Sequence, residues 1–185
     1  MILRLLVLSL VLILPLQAVE MSERVYLTQE EALKAIFPKA TQVQTTQLTL
    51  SQDDKHSIEM AMSTALKDNN YTVFQGYKDD TFLGYAYVLD QLGKYYPITM
   101  IVHILPNLSV GNVKVMVYRE RIGAEVRKNR FLKQFRKKTL NSPLMVDQDI
   151  DGISGATISS WSVSTAVKKA LYLTQYAQDE KMASR

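Results

Sequence analysis

The chain has no cysteine among its 185 residues. No disulfide can staple it, and no thiolate can hold zinc, an iron–sulfur cluster or a covalently attached haem. Histidine is scarce as well. His56 and His103 stand far apart, and a lone His on an apolar run such as TMIVHIL reads as a core or edge residue. If the protein handles electrons, an organic cofactor must carry them. An unbroken apolar run occurs only at the start. In MILRLLVLSLVLILPLQAVE, Arg4 gives a short basic lead, Leu5 to Leu14 is apolar apart from Ser9, and Leu16-Gln17-Ala18 supplies a small-residue cleavage site. That is the layout of a secretory signal over residues 1–18, short of the roughly 20 apolar residues a spanning helix needs. The alternative is an uncleaved anchor. Either way the domain is expected outside the cytoplasm, periplasmic or, in that second case, anchored to the membrane, and nucleic acid is a poor partner for it. A strong charge of one sign is missing too. The net charge of +4 falls to +3 once Arg4 leaves with the signal, which gives no global field.

What is present suits one domain. Thr28-Gln29-Glu30-Glu31 is a capping box ahead of Ala32, Leu33, Ile36 and Phe37 at helical spacing, and Pro38 stops that helix. Thr41 to Leu50 reads as a polar, exposed strand. Ser51 with Asp54 opens a second helix carrying Ile58, Met62, Ala65 and Leu66, expected to end at Asn69-Asn70. Four strands in a meander follow, from Tyr71 to Lys78, Phe82 to Asp90, Tyr95 to Leu105 and Val110 to Tyr118. The breaks KDD, QLG and PNLSVGN are turn material. After Gly123 the period turns helical, with Val126, Phe131, Leu132 and Phe135 as an apolar stripe. That stretch is basic: nine Lys or Arg lie between Arg119 and Lys138, against Glu120 and Glu125. Such a run is usually a solvated face, and it also suits an anionic ligand or an acidic protein partner. A final helix is expected from about Ser159 to Tyr176, with Val163, Val167, Ala170 and Leu171 on one face and Lys168 and Lys169 on the other. The expected fold is α+β, an antiparallel meander sheet flanked by helices in a single domain. Residues 19–69 form its helical N-terminal part, 70–177 its core and 178–185 a tail.

The chemistry gathers at DGISGATISS, residues 151–160. Ser154, Thr157, Ser159 and Ser160 crowd around Gly155 and Ala156, with Asp149 and Asp151 just upstream. No His stands near to activate a hydroxyl, so no catalytic residue and no metal site are assigned. The stretch lies in a tight turn leading into a helix N-terminus, where unpaired N–H groups and the helix dipole favour a phosphate. Gly155 lets backbone come close and Ala156 keeps the approach clear. Two readings stay open on the residues alone. Thr157 presents its hydroxyl to a phosphate, or Ser154 or Thr157 caps the helix.

Asp151-Gly152-Ile153-Ser154-Gly155-Ala156-Thr157 matches every position of the Asp-x-x-Ser/Thr-Gly-Ala-Thr flavinylation motif. The chain resembles the FMN-binding domain family, whose relatives include the flavin-carrying subunits of the sodium-pumping NADH:quinone reductase and of the Rnf complexes. The similarity runs through FLGYAYVL, GKYYPITMIVHI, VGNVKVMVYRERIGAEV and FLKQF, over roughly residues 70 to 175. The resemblance implies FMN joined through its phosphate to the Thr157 hydroxyl. An extracytoplasmic flavin transferase makes that bond, taking FMN from FAD with the help of magnesium, so no internal base is required. Asp151 and Ser154 would be its recognition residues, with Gly155 and Ala156 completing the motif. Where larger relatives carry Glu-Thr-Pro-Gly-Leu-Gly, this chain has Glu120-Arg121-Ile122-Gly123-Ala124-Glu125, in which Glu120 and Gly123 keep the turn. Arg119 and Arg121, at the strand end, are the candidate cations beside the flavin ring. Trp161 either covers the ring edge or packs against the sheet.

The implied function is that of an extracytoplasmic flavoprotein relaying electrons between membrane or periplasmic redox proteins. A substrate-specific oxidoreductase fits less well, because the chain shows no acid–base pair. Two alternatives stand beside it: a non-redox module holding a soluble ligand in the same basic groove, and a small flavin reductase acting on a quinone or ferric chelate.

Overall fold

The computed structural model describes residues 23–183, so the signal segment read at residues 1–18 lies outside the described residues. The elements run β1 (Arg24–Val25), α1 (Gln29–Ile36), β2 (Gln42–Thr49), α2 (Gln52–Met62), β3 (Asn70–Lys78), β4 (Thr81–Leu92), β5 (Pro97–Ile104) and β6 (Val110–Tyr118). Short helical turns follow at Ala124–Arg127, α3 (Asn129–Leu132) and Lys133–Phe135, before the long α4 (Thr157–Ala183). The six strands form one sheet in the order β1-β6-β5-β4-β3-β2. Every pairing is antiparallel. The α+β meander read from the sequence is therefore the fold observed. The segment before residue 70 is less separate than its helical label suggests, since β1 and β2 supply both edges of the sheet.

Strand alternation divides the interior into two cores. Tyr85, Tyr87 and Leu89 of β4 join Met100, Val102, Val113 and Val115 in the larger core, which Val163, Val167 and Ala170 of α4 close from above. Ala86 and Ile101, pointing the other way, meet Ala32 and Ile36 of α1 and Phe37 just after it in the smaller one. The capping box of α1 is present, with Glu31 N–H donating to Thr28 and the Glu31 carboxylate accepting from Thr28 N–H at 2.8 Å. His103 is a buried core residue. Its ring lies 4.9 Å from Phe37, Nε2 reaches the Leu83 carbonyl at 3.2 Å, and burial pulls its pKa down.

Three expectations are corrected. Helix α2 stops at Met62 because Ser63 turns left-handed (φ 51°), and the chain folds back so that Leu66 N–H donates to the Glu59 carboxylate. Ala65 is exposed and Leu66 packs into the core from outside the helix. The apolar stripe after Gly123 is buried as read, but on short turns with no continuous helix. Helix α4 begins two residues earlier than expected, at Thr157, and continues through residues 178–183 that were read as a tail.

Candidate functional site

Three chain segments converge at one end of the sheet. The β4–β5 turn brings Lys94, Tyr95 and Tyr96, the loop after β6 brings Glu120, Arg121 and Ile122, and the start of α4 brings Gly155 to Ser159. Between them lies an open cleft of 880 Å³, within the range of about 300–1,000 Å³ typical of cofactor sites.

A buried carboxylate fixes the first two walls. Glu120 is 5% exposed, and its Oε1 accepts the backbone N–H groups of Tyr95 and Tyr96. Gly93 completes this turn, since a Cβ there would stand 2.7 Å from Glu120 Oε1. The third wall is tied on by Tyr118, whose hydroxyl donates to the Ile122 carbonyl and accepts from Ser159 Oγ at 2.9 Å. Burial raises the Tyr118 pKa, with the Ser159 bond opposing, so the phenol stays a neutral donor near pH 7. Gly123, at φ 93°, sits where these elements meet. A Cβ on it would come within 2.7 Å of the Tyr118 hydroxyl, 3.0 Å of Ala156 Cβ and 3.1 Å of Ser159 Oγ. Glu120 and Gly123 thus keep the turn, as the sequence suggested.

The start of α4 bears on the capping reading of Ser154 and Thr157. Thr157 is the first helical residue, so the cap position belongs to Ala156, which has no side-chain acceptor. Its carbonyl takes the Ser160 N–H at 2.9 Å, and its own N–H donates to Ile153. Ser160, fully buried, stitches the turn by accepting Ile153 N–H and donating to the Ala156 carbonyl. Among the described residues neither Ser154 nor Thr157 has a side-chain hydrogen bond, and both are exposed. Capping by either is therefore not observed. The N–H groups of the first α4 turn are left to solvent or to an anion, beside an exposed hydroxyl.

The cleft also presents apolar surface to water. Tyr95 is 67% exposed and Ile122 76%, with Ile158 half-exposed beside them. A planar aromatic ring would cover these side chains, while a phosphate attached to it would meet the helix N-terminus. Lys94 and Arg121 supply the cleft's cations. The residues present fit FMN.

The sequence candidates separate in space. Gly155, Ala156, Thr157 and Arg121 line the cleft. Arg119 does not. It pairs with Glu23 at 2.9 Å and donates to Thr99 Oγ1 and the Pro97 carbonyl, which ties β6 to β5. Trp161 is 38% exposed and is neither a core residue nor on the cleft wall. Asp151 lies in a neighbouring groove of 430 Å³ with Glu125, Lys128, Arg130 and Lys133. Its backbone is clamped by Gln134, which accepts from Asp151 N–H at 2.8 Å and donates to its carbonyl at 3.2 Å. Tyr95, Tyr96, Ile122 and Ile158 were missed. For the two tyrosines the signal was the segment Gly93-Lys94-Tyr95-Tyr96-Pro97, in which two aromatics between Gly and Pro sit on a turn; Ile122 and Ile158 carry none.

Residues 93–172 match the model of a family described as the FMN-binding domain. Among solved structures the chain is similar to NqrC of Shewanella oneidensis, at 17% identity and a TM-score of 0.53, over 77% of this chain and 86% of that one. A search of curated protein sequences gives no match.

Proposed function

With an FMN-binding domain on an NqrC-like fold as the premise, we propose that the protein is an extracytoplasmic flavoprotein. It carries FMN by a phosphoester to Thr157 and relays electrons between redox partners. The observation that carries the reading is the start of α4: an exposed, unpartnered Thr157 hydroxyl, an uncapped first turn, and a cleft with exposed apolar walls beside it. FMN, when bound, supplies reversible one- and two-electron chemistry. The chain's own residues do the positioning. The uncapped N–H groups of the first α4 turn receive the phosphate. Tyr95, Ile122 and Ile158 hold the ring and exclude water from one face. Arg121 and Lys94 place positive charge beside it, which favours the reduced anion and raises the potential. An extracytoplasmic flavin transferase, reading Asp151 and Ser154, forms the bond, so the motif needs no base of its own.

The test is the intact mass and in-gel flavin fluorescence of denatured protein secreted from a host co-expressing a flavin transferase. The expected result is a gain of one FMN less water in the parent and none in Thr157→Ala. An unmodified parent, beside a control substrate that is modified, would overturn the tether.

A further inference from the structure

The basic segment after β6 holds more charge than the cleft uses. Of the nine Lys and Arg from Arg119 to Lys138, Arg119 pairs with Glu23 and Lys138 with Asp149. The other seven are exposed and have no carboxylate partner among the described residues. They stand on a rigid base. Val126, Phe131, Leu132 and Phe135 are buried beneath them, and the Gln134 clamp on Asp151 fastens the segment to the motif loop. Lys128, Arg130 and Lys133 share the 430 Å³ groove, whose opposite wall is Asp151 to Ile153. Two residues further on, Gly155 lines the FMN cleft. The loop 153–155 is thus the partition between groove and cleft.

We infer that this groove is the docking surface for an acidic redox protein that exchanges electrons at the cleft. The inference rests on the flavin-relay reading and names its partner's chemistry. Unpaired like charges fixed on one surface repel one another, and an approaching acidic face relieves that repulsion. The same field raises encounter rates by about 10–10³-fold at low salt. A relay meets its partner in every turnover, so a rate device serves it, whereas a transferase visits each molecule once. The surface is concave and has Glu125 and Asp151 among its cations, which suits interdigitating side chains better than a flat layer of lipid headgroups. A second copy would bring the same cations and be repelled.

The experiment uses the FMN-loaded full chain, reduced, and oxidised in a stopped-flow by cytochrome c in two forms, native (basic) and lysine-succinylated (acidic). The acidic form is expected to react at least ~10-fold faster at about 20 mM salt and to lose that advantage by about 200 mM. In Lys128→Glu/Arg130→Glu/Lys133→Glu the preference should invert. In Lys39→Glu/Lys67→Glu/Lys78→Glu, which changes the net charge equally elsewhere, it should survive. Equal rates for the two forms, or equal effects of the two triple variants, would overturn the inference. If the groove variant folds normally but takes up no FMN, the transferase's reading of Asp151 has been disturbed, and docking is decided by titration of the flavin-free chain. Loss of binding to phosphatidylglycerol vesicles with unchanged oxidation rates would also overturn it, in favour of a membrane. If the parent itself carries no FMN, the relay reading fails separately. Docking is then read on the flavin-free chain by titration with succinylated cytochrome c: binding that the groove variant abolishes keeps the surface, and no binding removes it.

Discussion

Gly123 and Gly155 offer a matched pair in which backbone strain and crowding can be told apart. Both have positive φ, 93° and 75°, so an alanine at either costs roughly 1–2 kcal/mol for the left-handed conformation. Their surroundings differ. A Cβ on Gly155 meets nothing within 4 Å, whereas on Gly123 it meets Tyr118, Ala156 and Ser159 at 2.7–3.1 Å. None of those is a free side-chain end. The Tyr118 hydroxyl is held by Ile122 and Ser159, and Ala156 precedes the first turn of α4. Overpacking of that kind adds about 1–3 kcal/mol. Gly155→Ala is therefore expected to lose about 1–2 kcal/mol and Gly123→Ala about 2–5 kcal/mol, a large share of the roughly 5–15 kcal/mol that holds a domain together. Urea unfolding followed by circular dichroism measures both. Asparagine, which tolerates the left-handed region, should rescue position 155 and leave position 123 damaged. Flavin loading should fall in Gly123→Ala under conditions where the protein is still folded, because relief of the clash moves the α4 start away from the loop after β6. Equal costs at the two positions, or a normally stable and normally loaded Gly123→Ala, would refute the picture of Gly123 as the joint of the cleft.

Gln134→Leu removes both hydrogen bonds to the Asp151 backbone. It is expected to cost about 1 kcal/mol in urea unfolding and to slow flavin loading several-fold in a timed mass-spectrometric assay, with Gln134→Glu, which keeps the acceptor for Asp151 N–H and loses the donor to its carbonyl, restoring only part of each. Burial alone would raise the Asp149 pKa, but the bonds from Lys138 and from the Met145 and Leu144 N–H groups outweigh it and hold the carboxyl below its ordinary value. A folded-state pKa below the unfolded one gives stability that is present above the unfolded value and lost as pH falls through the folded one. Asp149→Asn should therefore be less stable than the parent at neutral pH, and the two should converge as the pH falls through the folded-state value, in urea midpoints taken across the acid range. Lys169 is 6% exposed and bonded to Gln91, and burial lowers its pKa against the opposing charges of Asp68 and Asp90. A folded-state pKa below the unfolded one means that the charge costs stability at neutral pH, so Lys169→Met is expected to raise the urea midpoint, by less where the Gln91 side-chain carbonyl is left without its donor.

The sheet was legible because strand alternation and turn chemistry agree along β3 to β6, and because Thr28 and Ser51 announce their helices directly. Legibility failed where a local pattern met a non-local demand. Val126, Phe131, Leu132 and Phe135 do face the core, but Lys128 is extended (ψ 140°) and Lys137 is left-handed (φ 65°). Like charges such as Lys133 and Lys137 would also oppose each other one turn apart in a helix. The side-chain pattern survives and the backbone does not. Tyr95 and Tyr96 were read as the start of β5 because aromatics favour strands. Their N–H groups instead go to Glu120, 25 and 24 residues away respectively, a pairing no local rule can find. Arg119 stands outside the cleft for the same reason: its partner Glu23 lies 96 residues away in sequence.

The cap position of α4 was the opposite kind of case, where a broken rule carried information. A helix start favours Ser, Thr, Asp or Asn at its cap, and alanine there costs about 1 kcal/mol. This chain has Ser154 and Thr157 close at hand and places neither in the cap. Ala156 takes it, and the lost stabilisation is offset by buried Ser160 bracing the turn from inside and by the burial of α4 against the sheet. An ordinary helix would gain from exchanging Ala156 for serine. Here a capping hydroxyl would occupy the N–H groups of the first α4 turn, and Gly123 leaves room for the Ala156 methyl, since a Cβ built on it would lie 3.0 Å from Ala156 Cβ. The alanine and the glycine are therefore one feature seen from two segments. Both are small so that Thr157 can stand at the mouth of the cleft with the first turn of α4 open beside it.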